Sequence, residues 1–138
     1  MNFIQVKYIY SLSNDHTDKK ILKALIVEDD VDICYLLSGI LRQKKLATSS
    51  VNTLKDAMRE LECNKPDILI LDNHLPDGRG VEFITYVKQH YPLTYIILIT
   101  AHDTATDRTK ALAMGADYFI GKPFTRALMN HTLENLMP

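Results

Sequence analysis

A chain of 138 residues, 46% hydrophobic and 24% charged, has the make-up of one compact folded domain, which excludes a largely disordered chain. No apolar run approaches the ~18 residues of a membrane span, and the first dozen residues lack the basic start and small-residue cleavage site of a secretory signal. A formal net charge of −1 gives no electrostatic basis for direct binding to nucleic acid.

Residues 1–22 stand apart from the rest of the chain and are expected to form a flexible N-terminal extension. The alternation of Ile4, Val6, Tyr8 and Tyr10 leaves a docked edge strand as the alternative, and polar Ser11–Lys20 reads as a linker. The domain proper is expected over 23–138. Its first strand is the apolar run 24–29, which ends in acid at Glu28 and Asp29. Ile33, Leu36, Leu37, Ile40 and Leu41 then share one helical face. Ala47–Val51 is a weaker strand. Leu54, Ala57, Met58 and Leu61 predict a second helix, with Thr53 and Asp56 placed as an N-cap pair. The run 66–72 repeats the first strand's pattern and ends at Asp72. A tight turn at Asp77–Gly80 leads to a third helix through Val81, Ile84 and Val87, which stops before Pro92. A third apolar run spans 95–101, with the hydroxyl of Thr100 in place of the acid. A fourth helix over 105–114 stops at Gly115, with Asp103 and Asp107 read as capping and surface acids. Tyr118–Ile120 forms the last strand, before Lys122-Pro123, and Thr125–Leu136 the last helix.

Continuous Ile/Leu/Val runs of this length belong to strands buried on both faces, as in a parallel sheet. Strand and helix alternate five times, so right-handed crossovers imply an α/β fold: a doubly wound, five-stranded parallel sheet with helices on both faces. Such folds place their chemistry beyond the carboxyl ends of the strands, where the strand order reverses.

At those ends lie Glu28, Asp29 and Asp72, then Thr100, and Lys122 just after the last strand. Three carboxylates brought together repel unless a cation sits among them, and oxygen ligands suit Mg²⁺, with Mn²⁺ as the alternative. A nucleophilic aspartate beside a metal, a hydroxyl and a lysine is a phosphoryl-transfer site. Metal and lysine would offset the charge on the transferring group, and Thr100 would donate to it.

The chain resembles the receiver domain of two-component response regulators over about residues 23–136. The resemblance is carried by Leu25-Ile-Val-Glu-Asp-Asp30, Pro66-Asp-Ile-Leu-Ile-Leu-Asp72 and Leu75-Pro-Asp-Gly-Arg-Gly80. It continues with Ile97-Leu-Ile-Thr-Ala-His-Asp103, Ala111-Leu-Ala-Met-Gly-Ala-Asp117 and Lys122-Pro-Phe124. It implies a flavodoxin-like (βα)5 three-layer sandwich. It also implies an aspartyl phosphate on Asp72, made from a sensor histidine kinase or a phosphotransfer protein. Mg²⁺ would be held by Asp29, Asp72 and the backbone carbonyl of His74, with Glu28 acting mainly through water. Thr100 and Lys122 would bind the phosphoryl group, and the Lys122–Pro123 peptide would be cis. Output would pass through the face made by the fourth helix, fifth strand and fifth helix to a partner the sequence does not name.

Some positions depart from the family pattern. The switch aromatic, usually tyrosine, is here Phe119, whose position should be biased by burial alone because it has no hydroxyl. His74 and His102, two residues after Asp72 and Thr100, are expected to modulate phosphoryl lifetime. The fifth helix lacks the charged pattern of winged-helix regulators' dimer face. His16, His90 and His131 read as surface residues.

Cys34 and Cys63 lack the spacing of a zinc site or a disulfide framework and read as buried or half-buried thiols in a cytoplasmic protein. The chain is expected to signal rather than to act as an enzyme, beyond its own phosphorylation and slow dephosphorylation. It ends right after its last helix, so it is expected to carry no effector domain of its own, as a stand-alone regulator or a truncated one. A haloacid-dehalogenase-type phosphatase would need an acid where His74 stands, and a degenerate scaffold would have lost one of the acids or the lysine.

Overall fold

The structure, a computed structural model, describes residues 20–137. The N-terminal extension therefore lies, apart from its last residues, outside the described part, as does His16. Five strands form the sheet: β1 (Lys23–Val27), β2 (Ala47–Val51), β3 (Ile68–Asp72), β4 (Tyr95–Thr100) and β5 (Tyr118–Gly121). Five helices connect and follow them: α1 (Val31–Gln43), α2 (Leu54–Cys63), α3 (Gly80–His90), α4 (Ala105–Met114) and α5 (Arg126–Leu136). A two-residue hairpin, His74–Leu75 against Gly78–Arg79, interrupts the passage from β3 to α3.

All five strands are parallel, in the order β2-β1-β3-β4-β5. The chain winds outward from β1 to β2, returns to place β3 on the other side of β1, and continues in that direction. The reversal lies between β1 and β3. Glu28 and Asp29 follow β1 and Asp72 ends β3, so the acids sit at that switch point.

Pleating sends alternate side chains to opposite faces, and every central strand is therefore apolar on both. Ala24, Ile26, Ile68, Ile70, Ile97 and Ile99 pack with Leu37, Ile40 and Leu41 of α1 and with Met129 and Leu133 of α5. Leu25, Val27, Leu69, Leu71, Ile96 and Leu98 pack on the other face with α2, α3 and α4 through Ala57, Leu61, Ile84, Val87 and Ala111. Truncating one of these fully buried leucines to alanine costs about 2–5 kcal/mol. That rigid double core is what holds the strand ends in place.

Local signals set most helix boundaries. Asp30 caps α1 by accepting from the Asp32 and Ile33 amides, and Thr53 caps α2 by accepting from that of Asp56. Gly115 ends α4 with φ of 118°, a left-handed conformation that favours glycine. At α4 it is Thr104, not Asp103, whose side chain caps the helix. Two apolar expectations also shift. Met58 is 40% exposed rather than part of the α2 core face, and Cys63 is exposed, while Cys34 is half-buried.

Candidate functional site

The ends of β1, β3 and β5 converge. Carboxylate oxygens of Glu28, Asp29 and Asp72 all lie within 4.8 Å of one another. Lys122 reaches in from just beyond β5, with Nζ 2.9 Å from Glu28 Oε2 and 3.0 Å from Asp72 Oδ1. Formally three negative charges face one positive charge, leaving −2.

The three acids have different tasks. Glu28 is 1% exposed, and both its oxygens are engaged, Oε1 accepting from the Asp30 amide and Oε2 from Lys122. Burial pushes its pKa above 4.5, the Lys122 and Asp30 bonds pull it back, and the Asp72 charge adds to the rise. Asp72 is 3% exposed, and Lys122 is the only hydrogen-bond partner of its side chain among the described residues. Asp29 is exposed and makes no hydrogen bond among the described residues. Asp30, next in the acidic run, is occupied in capping α1.

Burial alone would lower the Lys122 pKa, but its bonds to Glu28 and Asp72 and their charges outweigh that and hold it above 10.5. The ammonium therefore stays protonated throughout the neutral range. The Lys122–Pro123 peptide is cis.

The loop after β3 is fixed through Asn73. Its amide donates to the Ile99 carbonyl at 2.9 Å, its own carbonyl accepts from Gly80, and its side-chain oxygen accepts from Val81 at 2.9 Å. A Cβ on Gly80 would run into the Asp72 carbonyl oxygen, so only glycine lets α3 start this close to the acid. Asp77 accepts from the Leu54 and Lys55 amides at 2.8 and 3.0 Å, tying the same loop to the start of α2 and lowering its own pKa. The turn read at Asp77–Gly80 is thus also an anchor.

Thr100 is fully buried at the end of β4, and its hydroxyl oxygen accepts from the His102 amide at 3.1 Å. His74 and His102, on the loops after β3 and β4, meet edge to face with ring centroids 4.9 Å apart.

Phe119 is 6% exposed and packs in the core beneath α4. Burial is not alone in holding it. The Arg108 guanidinium lies 4.9 Å from the ring centroid, donates to the Phe119 carbonyl at 3.3 Å, and pairs with Asp103 at 2.9 Å. Neither Asn73 nor Arg108 was singled out by the sequence. Asn73 had a signal, a side-chain amide directly after the terminal aspartate of a buried strand. Arg108 had none, because its partners lie in a different strand and loop.

A family model for the response regulator receiver domain matches residues 24–134. Among curated proteins, the chain is similar to the response regulator protein PilR of Pseudomonas aeruginosa, 41% identical over 102 residues, which are 73% of this chain and 23% of that protein. It is also similar to the transcriptional regulatory protein BasR of Escherichia coli, 36% identical over 119 residues, 84% of this chain and 52% of BasR. The chain thus spans about half or less of the length of these relatives. Among solved structures, the beryllofluoride-activated NtrC4 receiver domain dimer superposes with a TM-score of 0.79 at 31% identity, covering 83% of this chain and 94% of that one. With the flavodoxin-like sheet and the acids at its switch point, these likenesses show that the chain belongs to the receiver domain family of two-component response regulators.

Proposed function

We propose that Asp72 is the phosphoacceptor of this receiver, and that its phosphorylation by a sensor histidine kinase or a phosphotransfer protein changes what the α4–β5–α5 face binds. The observation that carries this reading is the placement of Asp72: a buried carboxylate with one oxygen held by Lys122 at 3.0 Å, beside two further acids. The other oxygen has no hydrogen bond to a described residue and supplies the lone pair for attack on phosphorus. The new bond is O–P. The bond that breaks is P–N of a phosphohistidine, or P–O of an acyl phosphate, and the leaving imidazole takes up a proton.

Oxygen donors of this kind fit a hard dication. Asp29, Asp72 and the carbonyl of His74 would hold Mg²⁺, which offsets charge on the phosphoryl oxygens. Glu28, bonded at both oxygens, would act on that ion through water and would fix Lys122 from the opposite side. Lys122 is placed to follow the charge from Asp72 onto the phosphoryl group. The buried Thr100 hydroxyl would donate to a phosphoryl oxygen while its own oxygen goes on accepting. His74 and His102, exposed on neighbouring loops, would govern the access of water to the acyl phosphate and hence its lifetime. The chain signals by this route rather than by turning over a substrate.

Incubation with acetyl phosphate and Mg²⁺, followed by intact-mass measurement, tests the assignment. A gain of one phosphoryl group that disappears in Asp72→Asn supports it. No gain with either Mg²⁺ or Mn²⁺ would leave a receiver-like scaffold as the better reading.

A further inference from the structure

The two imidazoles beside the acids form a distinct chemical feature. His74 and His102 are exposed, and neither ring makes a hydrogen bond among the described residues. The other described histidines differ: His90 Nδ1 meets the Tyr86 carbonyl at 2.9 Å, and His131 Nε2 meets Asn135 at 3.3 Å. The free ring nitrogens stand on two loops that the β3–β4 pairing, Asp72 opposite Ile99, brings side by side.

Their spacing matches a shared ligand. A metal–nitrogen bond of about 2.0–2.1 Å, plus about 1.1 Å from nitrogen to ring centre, puts a bound ion roughly 3.2 Å from each centroid. Angles at the metal of about 90–109° then separate the two centroids by roughly 4.5–5.2 Å. The observed separation is 4.9 Å, with planes inclined at 71°. The nearby acids supply negative potential, so a cation is favoured there over an anion.

We propose that His74 and His102 form a two-imidazole site for a borderline divalent cation such as Zn²⁺, separate in ligand chemistry from the carboxylate site. Imidazole nitrogen favours Zn²⁺, Ni²⁺ and Cu²⁺, whereas Mg²⁺ keeps to oxygen. The two ions therefore sort between the two ligand sets, and saturating Mg²⁺ does not displace the first. Water completes the coordination. An ion held there joins the loop after β3 to the loop after β4. It obstructs the approach of a phosphodonor to Asp72, a consequence that rests on the phosphoacceptor reading, whereas the binding itself does not.

The test is a calorimetric titration of the full chain with zinc chloride in saturating Mg²⁺, run also on His74→Ala, His102→Ala and Asp72→Asn. One site is expected in the unsubstituted chain, weakened at least tenfold by either alanine and kept in Asp72→Asn. Both histidines are exposed, and circular dichroism confirms that the variants fold. Absence of binding, or equal binding after both alanine substitutions, overturns the proposal. Loss of binding in Asp72→Asn with both histidines present does so too, because it places the ion among the carboxylates. The mass measurement with acetyl phosphate reports on Asp72 separately, so either reading can fail without the other.

Discussion

Lys122 is the only cation within ion-pair distance of Glu28 and Asp72 among the described residues, at 2.9 and 3.0 Å, and Lys122→Met removes its charge while keeping its aliphatic stem. Two buried carboxylates then face each other. At the 4.8 Å within which their oxygens lie, and an effective dielectric constant of 20, their repulsion is at least about 3.5 kcal/mol. Breaking a buried pair by removing one partner generally costs about 3–5 kcal/mol. Protonation sets a ceiling on Glu28's share. Raising a carboxylate from its ordinary 4.5 to 7 takes about 3.4 kcal/mol, beyond which it simply takes up a proton. The expected loss at pH 7 without divalent ions is therefore about 3 kcal/mol.

The pH dependence comes from the raised pKa of Glu28. Folded Glu28 holds its proton more tightly than the unfolded chain does. The stabilisation this gives is complete below pH 4.5 and is lost as the pH rises through the raised value. Without Lys122 the rise is larger, so the penalty should shrink to about 1 kcal/mol near pH 5. Saturating Mg²⁺ should recover most of the loss at pH 7, because a dication replaces the ammonium. The chain has no tryptophan, so urea unfolding is best followed by far-ultraviolet circular dichroism. A loss of 3 kcal/mol moves the urea midpoint down by about 1–3 M. Equal losses with and without Mg²⁺, and at both pH values, would refute the view of Lys122 as counter-ion to the acids.

Other expectations rest on separate contacts. Gly80→Ala forces a Cβ against the Asp72 carbonyl; it should cost about 1–3 kcal/mol in urea unfolding and slow phosphorylation by acetyl phosphate. Retention of both properties would mean that α3 yields without disturbing Asp72. Arg108→Ala removes about 0.5–1 kcal/mol of hold on Phe119, so the initial rate of phosphorylation should rise about two- to fivefold; an unchanged rate would remove Arg108 from the switch. Burial, then the charges of Glu28, Asp30 and Asp29, raises the Cys34 pKa, while Cys63 is exposed. Native protein treated with iodoacetamide should thus be alkylated at Cys63 well before Cys34, as peptide mapping would show.

The sheet was legible because strands buried on both faces leave unbroken apolar runs. Ile68–Asp72 and Tyr95–Thr100 are buried at every position, and their runs read as strands to within two residues. Some helix limits were legible from local signals, the Thr53 side-chain cap of α2 and the left-handed backbone of Gly115 at the end of α4, whereas the caps Asp30 and Thr104 were not. Within the site, the convergence of Glu28, Asp29, Asp72 and Lys122 was legible because a parallel sheet puts all its strand ends on one rim. What the sequence withheld are contacts that depend on where loops and helices settle. Neighbouring acids gave no sign that Asp30 caps a helix while Asp29 stays free. Asp77 bonds amides of a helix more than twenty residues earlier, and Arg108 covers a ring presented by the next strand. His74 and His102 were each placed by their offset from Asp72 and Thr100, but their contact requires the β3–β4 register.

That register also suggests how a change at Asp72 would travel. Thr100 anchors the loop after β4 by accepting the His102 amide. Asp103, one residue beyond, lies against Gly121 so closely that a Cβ there would fall 2.6 Å from its carboxylate, and it pairs with Arg108. Arg108 in turn covers Phe119 and bonds its carbonyl. A phosphoryl group on Asp72 would bring a charge of about −1.5 to −2 beside Glu28 and would attract both the Lys122 ammonium and the Thr100 hydroxyl. If Thr100 turns, the His102 amide loses its acceptor, and the loop carrying Asp103 loses one of its ties. Arg108 then keeps Phe119 only as long as Asp103 keeps Arg108. Phe119 has no hydroxyl, so what ties it to the loop after β4 is the Arg108–Asp103 ion pair.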